Sequence, residues 1–318
     1  MRKLILAGAL AVFSALAFAQ SQYPDKPIHL VVPFPPGGAA ELGARIFSQP
    51  LGQALGQTVV VETKPGADGA IAADAVKRAA PDGYTLFYAT NTAFNWVPIT
   101  KKAPPYDPVA DFTPVSLVGY FGFFLFTHPS LPAKSVQELI AEARANPGKL
   151  NYGTGNSTSQ LLGAQLKYLH KLDIVHVPYK GDGPLNVDLL GGRVQMAFAT
   201  PGAAVPHVKE GRLRCLAAMF PKRSPLLPDC PAAEEAGLGQ MNLRPWGGIF
   251  GPARMPKEVV QRVGQELAKV LARQDVQEGL GKIAFQAHAS TPEELDAFLK
   301  EQMTTWRNTA RSVGIEPQ

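Results

Sequence analysis

Two periodicities alternate along the chain. Short apolar runs at residues 28–34, 58–62, 84–89, 123–127, 150–152, 174–177, 194–198, 213–219 and 246–250 read as β-strands. Several are apolar without a break, the pattern of strands covered on both faces. Between them, apolar residues recur at helical spacing. Residues 257–273 carry Val259, Val260, Val263, Leu267, Val270 and Leu271 on one face. Thr291-Pro292-Glu293-Glu294 opens a last helix with Leu295, Phe298, Leu299, Met303 and Trp306 turned inward. Ser135-Val136-Gln137-Glu138 spells a capping box ahead of Leu139, Ile140 and Ala143. These stripes are core. Strand–helix alternation predicts an α/β chain with parallel sheets. Segments 116–127 and 240–252 are less regular and mark crossings between domains. The expected plan is a discontinuous first domain, 20–122 and 241–318, around an inserted second domain, 123–240.

Residues 1–19 follow a different logic. Arg2 and Lys3 precede an apolar run from Leu4 to Phe18, and Ala17-Phe18-Ala19 is a small-x-small cleavage site. The run is short for a membrane span, so it reads as a signal peptide cleaved after Ala19, with an exported mature chain. Pro50 falls inside the first helical pattern and should kink or shorten that helix.

Composition narrows the class. The 318 residues are 46% hydrophobic and 18% charged, which excludes a disordered chain. Thirty Gly and 29 Pro, scattered without a period, mean many turns between short elements. The net charge of +5 is dispersed, with no basic stripe interleaved with aromatics, so nucleic acid is not an expected partner. Cys215 and Cys230 are the two cysteines. A disulfide worth ~3 kcal/mol and a pair of buried thiols are both open, with the even count and short spacing favouring the bond. They lack a CxxC or a nearby His pair, so no metal is expected.

The chemistry-bearing motifs of common enzymes are missing: no HExxH, no GxxxxGK[ST], no GxGxxG opening a helix, no GxSxG. The six histidines are scattered. No catalytic residue and no cofactor is assigned. Two Gly-rich strand-to-helix turns stand out instead, Val32-Pro33-Phe34-Pro35-Pro36-Gly37-Gly38-Ala39-Ala40 and Tyr152-Gly153-Thr154-Gly155-Asn156-Ser157-Thr158-Ser159. Each presents backbone N–H groups at a helix N-terminus, where an anion is favoured. Steric need at a tight junction is the plain alternative for each. A third turn, Lys64-Pro65-Gly66-Ala67-Asp68-Gly69, follows the second strand and borders the same expected cleft.

With these turns in view, the chain resembles the Bug family, the periplasmic solute-binding proteins of tripartite tricarboxylate transporters. The resemblance is carried by Tyr23-Pro24-Asp25-Lys26-Pro27-Ile28, Glu62-Thr63-Lys64-Pro65-Gly66, Ala80-Pro81-Asp82-Gly83-Tyr84-Thr85-Leu86 and Asp111-Phe112-Thr113-Pro114-Val115. Pro147-Gly148-Lys149-Leu150-Asn151-Tyr152-Gly153, His176-Val177-Pro178-Tyr179-Lys180-Gly181 and Leu189-Leu190-Gly191-Gly192 continue it, in order, across the mature chain. It implies a two-domain type II periplasmic-binding fold, a Venus flytrap with mixed, mostly parallel sheets. It implies a monomer that closes on a small organic carboxylate and meets membrane permease subunits. On this resemblance the ligand contacts are Phe34, Pro36, Gly38 and Ala39 on one wall, with Thr90 and Asn91. Asn156, Ser157 and Thr158 grip the carboxylate, and Phe198, Ala199 and Thr200 meet the rest. Ala67 and Asp68 border the site.

The departures shape the ligand. Ala199 stands where the family usually has an acidic residue, and no second acidic residue replaces it nearby. Phe94 and Trp96 bring aromatic surface to a segment that is more usually polar. Together they point to an apolar carboxylate rather than an amino acid, unless Phe94 and Trp96 pack into the core and Asp68 or Glu41 supplies a charge. A periplasmic enzyme and a ligand-presenting signalling adaptor on the same scaffold are the alternatives.

Overall fold

The computed structural model describes residues 23–317 except Pro221 and Asn242; the expected signal peptide lies outside the described residues. Two sheets organise the chain. The first is six-stranded, in the order β11-β4-β10-β3-β1-β2: β1 Ile28–Val32, β2 Val59–Thr63, β3 Thr85–Thr90, β4 Phe112–Phe121, β10 Trp246–Pro252 and β11 Phe285–Ala287. The second is five-stranded, β7-β6-β8-β5-β9: β5 Phe124–Thr127, β6 Asn151–Thr154, β7 Val175–Pro178, β8 Met196–Ala199 and β9 Arg214–Ala218. The chain leaves the first lobe after β4 and returns to it at β10.

Each sheet buries both faces, which is why its strands read as unbroken apolar runs. In the first lobe Leu30, Leu86 and Tyr88 pack under α1 (Ala39–Leu55) and α8 (Lys257–Leu271). The alternate residues Val31, Phe87 and Ala89 face α2 (Ala70–Lys77) and α10 (Pro292–Ser312). In the second lobe Leu125 and Phe198 meet α4 (Val136–Ala145) and α5 (Ser157–His170), whereas Phe124, Ala197 and Ala199 meet α6 (Asp182–Leu190) and α7 (Ala204–Lys209). Short helices α3 (Val97–Thr100) and α9 (Gln274–Gly281) complete the first lobe.

The caps follow the sequence closely. Thr291 and Glu294 exchange both bonds of a capping box at α10, and Ser135 Oγ accepts from Glu138 N at α4. The α4 carboxylate of Glu138 reaches Lys134 N rather than Ser135 N. Pro50 does not shorten α1, which runs on to Leu55. Burial of Phe47, Leu51 and Leu55 offsets the missing hydrogen bond.

Strand direction is more mixed than strand–helix alternation implies. Pairings around β1 and β6 are parallel, but those of β4, β5 and β10 with β3, β8, β9 and β11 are antiparallel. The crossing strands run back through the sheets as they change lobe, so they cannot follow the parallel rule. β4 itself occupies the segment read as irregular. Its Pro114 is accommodated beside a register shift against β10, and Gly119, at φ +150°, lets Gln286 O approach where a Cβ would lie 2.0 Å away.

Cys215 and Cys230 form a disulfide with Cα atoms 5.5 Å apart. It ties edge strand β9 to the loop that follows it, closing a short loop worth ~3 kcal/mol.

Candidate functional site

A cleft of about 460 Å³ opens between the carboxyl ends of the strands of the two lobes. This is where open α/β sheets place ligands, because helix N-termini converge there. Three helices of eight or more residues begin on it, α1 through Gly37–Ala40, α5 through Gly155, Asn156 and Thr158, and α6 through Gly181–Pro184; the six-residue α7 follows Gly202 and Ala203.

The three N-termini differ in charge. At α1, Glu41 is only 2% exposed; its Oε2 accepts from Gly37 N at 3.0 Å, and its Oε1 pairs with Arg45. At α6, Asp182 sits in the first turn. At α5 the first turn holds no acid. There Asn156 Oδ1 accepts from Ser159 N at 3.0 Å, and Ser159 Oγ accepts from the N–H groups of Gly155 and Asn156, each at 3.1 Å. The N–H groups of Ser157 and Thr158 have no acceptor among the described residues. Nearby, the hydroxyl of Thr90, buried at the end of β3, has no partner either. The α5 N-terminus is therefore the one with N–H groups left open and no acid in its own first turn, the Asp182 carboxylate standing against the Gly155–Asn156 side of it.

Neutral side chains join the lobes at this point. Asn91 Nδ2 donates to Thr158 Oγ1 at 2.8 Å, and Ser157 Oγ donates to Thr92 Oγ1 at 2.9 Å. Asn91 Oδ1 in turn accepts from Trp246 N at 3.2 Å, which ties the contact to the strand that carries the chain back to the first lobe.

Of the residues expected at the site, Phe34, Pro36, Gly38, Ala39, Thr90, Asn91, Asn156, Thr158 and Thr200 line the cleft. Six lie elsewhere. Phe94 is fully buried among Phe87, Phe112, Trp246 and Phe250, with ring centroids 4.8 Å from Phe112 and Phe250. Trp96 is likewise core, but in the cluster that holds Leu30 and Tyr88 rather than the one around Phe94, the two rings lying two residues apart on the π-helical turn of 92–96. Aromatic surface in the cleft comes from Phe34, Phe121 and Phe123. Phe198 and Ala199 are interior positions of β8, between β6 and β5, so Thr200 is the first residue after that strand to reach the cleft. Ser157 faces Thr92 in the other lobe. Ala67 and Asp68 are exposed on a left-handed turn, at φ 48° and 57°, that does not border the cleft.

Sequence reasoning missed Lys180, Asp182 and Asn186, all of which line the cleft. Asp182 also corrects the expectation that no acid replaces the one missing at position 199. Its Oδ2 accepts from Thr200 Oγ1 at 2.6 Å and Thr200 N at 3.2 Å, so a carboxylate lies beside Ala199 after all. Burial pushes its carboxyl above the usual range, while the bonds from Thr200 and Asn156 pull the other way. Among the described residues no three His, Cys, Asp or Glu side chains gather as a metal site.

The described residues thus form a two-lobed solute-binding fold with a cleft at its topological junction. A family model described as the tripartite tricarboxylate transporter family receptor matches residues 44–315. Protein BugT of Bordetella pertussis is 32% identical over 297 residues, covering 92% of this chain and 91% of its own. Among solved structures, R. palustris Rpa4515 with adipate aligns at TM-score 0.86 and 31% identity, covering 93% of this chain and 100% of that one. MatC from Rhodopseudomonas palustris with bound malate aligns at TM-score 0.80 and 29% identity, covering 90% and 99%. The fold is that of periplasmic binding proteins. The chain belongs to the tripartite tricarboxylate transporter receptor family.

Proposed function

We propose that the chain captures a small organic carboxylate in the cleft and delivers it to the permease subunits of a tripartite transporter in the periplasm, after cleavage of its signal peptide. The observation that carries this reading is the unequal charge of the three helix N-termini. A ligand carboxylate placed at α1 or α6 would meet an acid of the first turn, Glu41 or Asp182. At α5 the first turn brings no acid of its own, and it meets the free N–H groups of Ser157 and Thr158 and the hydroxyl of Thr90, with the Asp182 carboxylate held on the Gly155–Asn156 side of the turn by Asn156 and Thr200. Neutral donors hold an anion without activating it, as suits a carrier rather than a catalyst. Apolar lining from Phe34, Phe121, Phe123 and Ile283 would cover the body of the solute. Adipate and malate in the related structures are small carboxylates of the size such a cleft takes.

Mass spectrometry of ligand released from protein purified under native conditions tests the reading. A small carboxylate is expected, and adding it back at 1,000 times Kd should stabilise the fold by about 4 kcal/mol. No released carboxylate, and no stabilisation by any, would overturn it. Appearance of a product on incubation would favour an enzyme instead. Uptake of the labelled acid by membrane vesicles holding the permease subunits, with and without the protein, tests delivery.

A further inference from the structure

The α6 wall of the cleft asks for something other than an anion. Asp182 opens α6 with its carboxylate held by donors from two other turns: Thr200 N and Oγ1 on Oδ2, and Asn156 Nδ2 on Oδ1 at 3.3 Å. A carboxylate has about four lone-pair directions, so one acceptor remains for the cleft. The placement is built into the backbone. A Cβ on Gly155 would lie 2.2 Å from Asp182 Oδ1 and 2.7 Å from Asp182 N, so only glycine lets the two turns meet.

One helical turn further on, Asn186 lines the same cleft. It is 7% exposed, and its Oδ1 has no hydrogen-bond partner among the described residues. Residues i and i+4 share a helix face, so the carboxylate and the unsatisfied amide act on one region of space. Lys180, just before this helix, lines the cleft without an ion pair to Asp182 among the described residues, so no cation there neutralises the carboxylate. A buried amide oxygen left without a donor is unfavourable, and an occupant that supplies donors relieves it.

We infer that Asp182 and Asn186 form a second subsite, which takes a hydrogen-bond-donating substituent of the ligand, a hydroxyl or an ammonium group. This rests on the reading of the cleft as a carboxylate site, with the carboxylate at α5. The protein then selects substituted acids over plain ones, because a site built around acceptors loses more from a missing donor than from a missing methylene.

Calorimetry with matched trios tests this: propionate, lactate and alanine; succinate, malate and aspartate; 3-phenylpropionate, 3-phenyllactate and phenylalanine. In any trio that binds, the hydroxy or amino member should bind about tenfold or more tighter than its parent acid. Whichever of the two leads identifies the donor as neutral or cationic. Asp182→Asn should close that gap to within about twofold while the parent acid keeps or gains affinity. Asn186→Leu, which deletes the amide and leaves the carboxylate, should narrow the gap by a smaller factor. A parent acid that binds as tightly as its partners in the unmodified protein overturns the subsite and leaves the carboxylate reading intact, as does a gap that survives in Asp182→Asn. Failure of every acid to bind overturns both readings.

Discussion

The turns that open α1 and α5 look alike in sequence, each a Gly-rich link from an apolar strand into a helix, yet they do different work. The α1 turn is closed on itself: Glu41 reaches back to Gly37 N, and Arg45 neutralises Glu41. Its contribution to the cleft is shape, through Pro36, Gly38 and Ala39. The α5 turn satisfies its outer N–H groups with Asn156 and Ser159 and leaves those of Ser157 and Thr158 open. Glycine content therefore does not mark an anion site. For the proposed carboxylate, what marks it is a helix N-terminus whose first turn supplies no anion of its own and leaves N–H groups open.

The sharpest way to break this contrast is to give α5 an acid. Thr158→Asp keeps an acceptor for Asn91 Nδ2 but places a charge beside the bound carboxylate. Two anions 4 Å apart repel by about 4 kcal/mol at an effective dielectric constant of 20, so affinity should fall roughly a thousandfold by calorimetry. Unchanged binding would put the carboxylate elsewhere. Thr158→Val is gentler. It removes one hydroxyl donor and should weaken binding by about 1–2 kcal/mol with the fold intact by circular dichroism. The converse substitution, Glu41→Gln, keeps an acceptor for Gly37 N and discards the charge. Its pairing partner Arg45 is 60% exposed, so chemical denaturation should show a loss of at most about 1 kcal/mol. Carboxylate affinity should stay within about twofold; tightening beyond tenfold would mean that the ligand lies at α1.

The smallest effect concerns the third helix. Burial raises the Asp182 carboxyl, so the folded chain keeps a proton that the unfolded chain has already released. That contribution to stability is present below the ordinary aspartate value of about 3.9 and is lost as pH rises toward the folded value. Unfolding free energies for the unmodified protein and Asp182→Asn, measured between about pH 4 and pH 7, should show the difference between them shifting against the unmodified protein as pH rises. A flat difference would mean that the hydrogen bonds from Thr200 and Asn156 cancel the effect of burial.

Much of this was readable from residue order, and the failures have a common cause. Runs such as Leu30-Val31-Val32 and Thr85-Leu86-Phe87-Tyr88 announce strands because both their faces are covered, and Thr291 with Glu294 announces a cap because the bonds are local. β4 escaped because Pro114 and Gly119 interrupt its pattern, and a register shift against β10 is what absorbs them. The α5 turn was visible as a motif. Asp182 was not, since its partners are 26 residues before it and 18 after it. They meet because β6 lies between β7 and β8, which brings the turns after those strands side by side. Phe94 misled for the opposite reason: a ring beside a polar segment says nothing about which way a helical turn will face it.

Among the described residues the side-chain bonds joining the lobes at the cleft, Asn91 to Thr158 and Ser157 to Thr92, are between uncharged groups. Ionic strength screens charges over about 8–10 Å near physiological salt but leaves a buried amide–hydroxyl contact almost untouched. Attraction of an anionic solute toward the cleft should therefore rise and fall with the medium, while the hold of one lobe on the other stays constant. A receptor built this way would meet its solute at a rate set by its environment and let it go at a rate set by its own structure.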